Sequence, residues 1–327
     1  MTVDQSITAK QAVVREPRWS ISRHLLVALM LGVLALTVLM HMAKLHFDPW
    51  LSSNLPYYAG GLAMLLVRIG LPWVDWRHST AVAHFCEYAG LFTLISLMGA
   101  SASYPVAALT SGYADAALHR IDLALGFDWL KWYRLVSAYQ LLQFLGTAAY
   151  RSIYVTPALL LWHCAWTGER ERAYRFLAGF WLAALMTLLL FSLVPAVGPF
   201  SYLWHGPINY MPESELWQSG LIPALRNHEV HIVDLGQLRG IVSAPSFHTA
   251  AAVLYMAMGW RIARLRWLIV ALNAAMLLST PVEGTHYLID MILGFIVAQV
   301  ALALVNLYVR MNENEFFDHA VGTMAIK

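Results

Sequence analysis

The chain has 327 residues, 59% of them hydrophobic and only 12% charged, with a formal net charge of +2. Soluble domains carry about 25% charged residues, so there is too little polar surface here to coat a water-soluble globule, and the near balance of charge gives no footing for a nucleic-acid partner. The two cysteines, Cys86 and Cys164, both lie in apolar runs, which argues against a disulfide framework, and neither has metal-motif spacing.

A membrane span needs about 20 mostly apolar residues. Read in chain order, residues 1–23 form a polar tail carrying Lys10, Arg15 and Arg18, expected on the cytoplasmic side. The first apolar run, 24–44, is too long for a signal-peptide core and reads as an uncleaved span. A second, 56–72, is weaker because it holds Gly60, Gly61, Arg68 and Gly70, and 24–80 is read as an N-terminal helix pair. Further spans are expected at 81–101, 148–167, 173–194, 246–260, 267–282 and 286–309, within a second membrane domain over 81–309. Residues 310–327 read as a second cytoplasmic tail.

With all eight segments crossing, most Lys and Arg residues fall in the short turns on the side of the N-terminus, as the positive-inside rule requires. The expectation is therefore a multi-pass protein of the cell (inner) membrane with both termini cytoplasmic. Residues 104–146 are apolar but studded with charge: Asp115, His119 and Asp122 share one helical face, and Asp128, Lys131 and Arg134 another. This segment reads as helices lying in the membrane interface, the first face being solvated rather than metal-binding. Residues 195–245 are rich in Pro and Gly yet retain Trp204, Tyr210 and Trp217, and read as an ordered extracytoplasmic cap.

Two short stretches carry chemistry. In Ser243-Ala-Pro-Ser-Phe-His-Thr, Ser246 is placed to cap the helix that His248 enters from the outer face. In Glu283-Gly-Thr-His-Tyr-Leu-Ile-Asp, His286 and Asp290 stand four apart, one turn on a common helix face. A carboxylate there can bond one ring nitrogen and leave the other as a basic lone pair. An aspartate inside a span is costly and faces a partner or a cavity, and His286 is a partner ready to hand. Two histidines and an acid are thus expected to meet at one membrane face under the cap.

Pro245-Ser-Phe-His248 followed by His286-Tyr-Leu-Ile-Asp290 resembles the second and third motifs of the type 2 phosphatidic acid phosphatase superfamily, and most closely its inositol phosphorylceramide synthase-like branch, over about residues 80–309. The resemblance implies an all-α polytopic bundle: a six-helix core plus two N-terminal spans. It implies that His286 attacks phosphorus to form a phosphohistidine, that Asp290 orients it, and that His248 protonates the leaving oxygen and then activates the acceptor. Ser246 and the start of its helix would bind phosphate oxygens. The substrate would be a phospholipid or polyprenyl phosphate, with no cofactor and no metal, so turnover is expected to survive chelation. The acceptor, water or an alcohol, stays open: a phosphatase, or a headgroup transferase of inositol phosphorylceramide synthase type.

The chain departs from the phosphatase pattern where cations are expected. The arginine six residues before the third-motif histidine is replaced by Thr280, and the first-motif region reads Leu193-Val-Pro-Ala-Val-Gly-Pro-Phe without a cation. Arg239 and Arg151 are the substitutes to examine for phosphate binding. Two distant alternatives are a haem-binding membrane cytochrome using His84 and His163, and a transporter, against which the lack of a mirrored, broken helix pair speaks.

Overall fold

The computed structural model describes residues 21–218 and 220–324, the side chains of 217, 218 and 313–324 excepted. The expected N-terminal tail lies outside them apart from its last three residues. In chain order the helices are α1 (Ile21–Met42), α2 (Leu55–Gly70), α3 (Ser79–Leu109), α4 (Asp115–Ala124), α5 (Trp129–Ala138), α6 (Gln140–Arg151), α7 (Val155–Thr167), α8 (Arg170–Leu193), α9 (Pro199–Leu203), α10 (Glu215–Gln218), α11 (Leu221–Arg226), α12 (Phe247–Gly259), α13 (Arg266–Glu283) and α14 (Leu288–Met324). Among the described residues the extended backbone amounts to one isolated bridge, His46 to Ile232, and the fold is an all-α membrane bundle.

Among the described residues, five segments are long and apolar enough to cross a membrane: Ile21–Met42, Ser52–Trp73, Ser79–Leu109, Arg170–Leu193 and Leu288–Asn312. The weak second span is thus a helix of spanning length, since the turns flanking α2 extend it at both ends. The expected span 148–167 is instead split, with a 3-10 turn at Ser152–Tyr154 joining α6 to α7. Helix α12 has 13 residues, about 20 Å of rise, too short to cross a hydrocarbon layer of about 30 Å by itself.

Lipid-like surroundings give no hydrophobic push between helices, so close packing must come from small residues at the contacts. Helix α12 presents Ala250, Ala251 and Ala252 to the core, and α14 presents Ala298 and Ala301. At Gly294 of α14 a Cβ would stand 2.3 Å from the Ser246 carbonyl oxygen, so only glycine lets these two helices meet at their starts. Helix α1 joins this core through Leu25 and Leu29, while α2 buries no residue and packs on α3 alone among the long helices.

The segment 104–146 is divided among several helices. Residues 104–109 continue α3, which ends where Gly112 takes positive φ (+71°), and 140–146 belong to α6, which packs along α13. Residues 310–324 continue α14 as helix.

Loop 195–245 is an ordered cap. The Tyr133 hydroxyl donates to the Tyr210 carbonyl (2.7 Å), Trp204 packs edge-on to Tyr133, and Tyr210 donates to Glu283 (2.6 Å). Its far limb is held by the α1–α2 connection: His46 and residues 231–233 exchange backbone bonds, Leu235 N–H donates to Asn54 (2.9 Å), and Ser53 donates to Asp234 (2.7 Å).

Candidate active site

The starts of α12 and α14 lie side by side beneath the cap, joined by a backbone bond from Ser246 N–H to the Asp290 carbonyl (2.9 Å). This brings His248, His286 and Asp290 together, with ring centroids of the two histidines 6.5 Å apart. His286 is 3% exposed and Asp290 fully buried. The Nδ1 of His286 lies 2.8 Å from the Ser243 carbonyl oxygen. A carbonyl can only accept, so the ring proton sits on Nδ1 and Nε2 carries the lone pair.

Asp290 therefore does not orient the ring by the direct bond expected from the four-residue spacing. Its Oδ2 stands 3.7 Å from Nδ1, an ion-pair distance rather than a hydrogen bond. Instead it accepts from the Ser243 hydroxyl (3.1 Å) and the Tyr287 N–H (3.0 Å), which ties down the loop whose carbonyl holds the ring. Gly284 makes room for that ring: a Cβ there would be 2.7 Å from His286 Cδ2 and 3.0 Å from Tyr150 Cε2. On the opposite side Tyr150 stacks on His248, with centroids 4.0 Å apart and planes 17° from parallel.

Both histidines line a cavity of about 430 Å³ that runs from the cap between α3, α8 and α12. Its walls are apolar (Phe92, Ile95, Phe180, Ile222), and among its described lining residues there is no Lys, Arg, Asp or Glu. Arg151 is not at the wall; it makes a bidentate pair with Glu213 (2.9 Å) on the exposed side. Arg239 also stands off the lining and donates to the Leu238 carbonyl (2.7 Å). Ser246 is fully buried and caps α12, its hydroxyl accepting from Thr249 N–H at 3.4 Å. The backbone N–H groups of Phe247 and His248, in the first turn of α12, have no carbonyl within their own helix to bond, and both residues face the cavity.

The face expected to be solvated is buried. Asp115 accepts from Val197 and Gly198 N–H (both 3.0 Å) and from the Tyr287 hydroxyl (3.0 Å). Asp122 accepts from Leu288 (2.8 Å) and Ile289 (2.9 Å) N–H, closing the N-terminus of α14. Burial pushes both carboxyls above their ordinary pKa, and these bonds pull them back. The reason for the misreading is that a helix lying on a bundle has its polar stripe turned toward backbone donors, not water. Among the described residues no group of three His, Cys, Asp or Glu is placed to hold a metal ion.

A family model described as PAP2 superfamily matches residues 116–304. The chain belongs to the PAP2 superfamily. No curated protein and no solved structure matches it. The match runs from α4 into α14 and leaves α1–α3 outside. Membership supports a lipid phosphoesterase of phosphatase or phosphotransferase type. As a PAP2 chain it is unusual where the sequence departs from the phosphatase pattern. Thr280 turns its hydroxyl back to the Met276 carbonyl (2.7 Å) inside α13, and the 193–200 stretch is occupied with Asp115. Ser243, Tyr150 and Gly284 are site residues that motif reading missed. Ser243 stood in the quoted motif without a role, and nothing in the sequence marks Tyr150.

Proposed function

We propose that this PAP2-superfamily protein cleaves a lipid phosphoester by a double displacement on His286. The observation that carries the reading is the Ser243 carbonyl on Nδ1 of His286, which leaves Nε2 unprotonated inside a cavity that also holds His248. In the first step Nε2 attacks phosphorus while the P–O bond to the lipid alcohol breaks, and His248, which takes up a proton from solvent as the anionic phosphate binds beside it, gives that proton to the departing oxygen. The phosphorus must approach Nε2 to about 3–3.5 Å with an ester oxygen in hydrogen-bond reach of the second ring. A 6.5 Å gap between centroids suits that arrangement. In the second step the acceptor O–H gives its proton to His248 as its oxygen attacks phosphorus, and the N–P bond breaks.

Asp290, 3.7 Å from Nδ1, offsets the positive charge that His286 gains as a phosphohistidine. The first-turn N–H groups of α12 supply donors for the phosphoryl oxygens. With no lysine or arginine among the described lining residues, the site favours a phosphodiester with a single negative charge over a dianionic monoester, whose stabilisation leans on cations. That leaning supports transfer of a phosphorylated headgroup to an alcohol, as in the inositol phosphorylceramide synthase-like branch, alongside hydrolysis. The active site would face the extracytoplasmic side.

The test is incubation of purified protein with labelled phosphatidate, phosphatidylglycerol phosphate, phosphatidylinositol plus ceramide, and undecaprenyl pyrophosphate. A new phosphorylated lipid identifies a transferase; free phosphate from the monoester and pyrophosphate lipids, or a free phosphorylated headgroup from phosphatidylinositol, identifies a hydrolase. Turnover that persists in His286→Ala would overturn the reading.

A further inference from the structure

Behind one wall of the cavity, next to His286, lies a carboxylate that the two-histidine reaction does not use. Glu215 is 3% exposed and sits at the start of α10. Its Oε2 accepts from the Ser201 hydroxyl (3.2 Å) and its Oε1 from the Thr285 hydroxyl (3.3 Å). The Ser214 hydroxyl lies 3.3 Å from Thr285 Oγ1, and with the Thr285 proton committed to Glu215 it is Ser214 that donates. Ser201 and Thr285 both line the cavity. Thr285 holds a left-handed φ of +48°, a conformation that a β-branched residue keeps only when its surroundings insist on it.

Two hydroxyl protons thus end on one carboxylate, and a third, from Ser214, ends on the Thr285 oxygen. A hydroxyl whose proton is committed offers only lone pairs on its other side. The cavity face of Ser201 and Thr285 therefore presents acceptors, with the Glu215 carboxyl behind them. Such a wall repels phosphate oxygens and rewards donors. Burial pushes the Glu215 carboxyl up, and the two hydroxyl bonds pull it back toward the ionised form.

We propose that Ser201 and Thr285, held by Glu215, form a headgroup subsite that accepts hydrogen bonds from the hydroxyls of an uncharged, hydroxylated phosphodiester headgroup seated beside His286. This rests on the phosphoester reading above and adds to it the part of the substrate that the wall selects. The anionic phosphoryl group is kept at the α12 N-terminus, away from Glu215, and the apolar run of the cavity takes the acyl chains.

The experiment compares kcat/KM of the full-length protein in vesicles for lipids with the same acyl chains but different headgroups. Phosphatidylglycerol and phosphatidylmethanol carry the same charge and differ in hydroxyl donors; phosphatidylethanolamine offers an ammonium instead. Hydrogen bonds to these acceptors predict a preference for the glycerol over the methanol headgroup of about 10- to 100-fold. In Ser201→Ala and in Glu215→Gln that ratio falls about tenfold or more; being internal to each preparation, it is independent of how much protein folds. A wild-type ratio near one, a ratio that survives in both variants, or a preference for the ammonium headgroup would overturn the subsite while leaving His286-dependent turnover intact. Absence of turnover by the wild type on every lipid overturns the phosphoester reading itself, and the subsite with it.

Discussion

At the scale of single residues, the site runs on one carbonyl. The Ser243 oxygen dictates which His286 nitrogen bears the proton, and Asp290 supports that carbonyl's loop as well as the charge on the ring. Replacing His286 by Ala is expected to lower kcat by at least about 10³-fold, because it would delete the proposed nucleophile. His248→Ala, which removes acid–base help, is expected to cost about 10²- to 10⁴-fold. Rapid-quench labelling separates the two: a lipid with a good leaving group still phosphorylates His248→Ala, and the label accumulates because the acceptor is no longer activated. Arg151→Ala is expected to change kcat/KM by less than about threefold, since its partner Glu213 and its exposure mark a surface pair. A larger fall would show that the guanidinium reaches substrate.

At the scale of elements, the proposed reaction would depend on two helix starts held in register. Gly294 permits the contact of α12 with α14, and Asp122 closes the first turn of α14 from a different element. Asp122→Ala leaves two backbone N–H groups unpaired and is expected to destabilise the protein by about 1–3 kcal/mol, read as a lower melting temperature in detergent, with kcat falling because His286 loses its anchoring. If melting is unchanged, the cap contributes nothing. The helices themselves were legible: the apolar runs marked α1, α3, α8 and α14 to within a turn or so at most ends. The failures came where a helix continued past the hydrophobic stretch, as in α3 and α14, or broke inside one, as at Ser152–Tyr154. Hydrogen bonding along a helix does not stop where lipid does, so hydropathy locates the layer and not the helix end.

At the scale of the whole molecule, the two ends of the bundle differ in kind. One end gathers the cap, the short α4–α6 helices and the catalytic helix starts. The other gathers Arg68 and Arg170 on Glu87, Arg172 on Glu169, and the basic α12–α13 turn. The excess of Arg at this second end supports a cytoplasmic assignment. Single cysteines at His205 in the cap and Arg264 in the basic turn test it, both positions being exposed. In intact cells a membrane-impermeant maleimide is expected to label His205→Cys and to reach Arg264→Cys only after the membrane is opened; the reverse pattern would invert the protein.

Composition alone dictated a membrane bundle, because partition into lipid acts locally along a chain; helix periodicity did not join His286 to Asp290 as expected, since α14 begins at Leu288 and leaves His286 in the turn before it. The motif order then sufficed for the family, which the match over 116–304 shows. What only the tertiary structure decided is who partners whom: the Ser243 carbonyl on His286 from 43 residues away, Asp122 on the α14 backbone from 166, Glu215 behind Thr285 from 70. A sequence states that a buried carboxylate needs donors. Which donors it finds depends on helices meeting in three dimensions, and there the expected solvated face became the mortar of the active site.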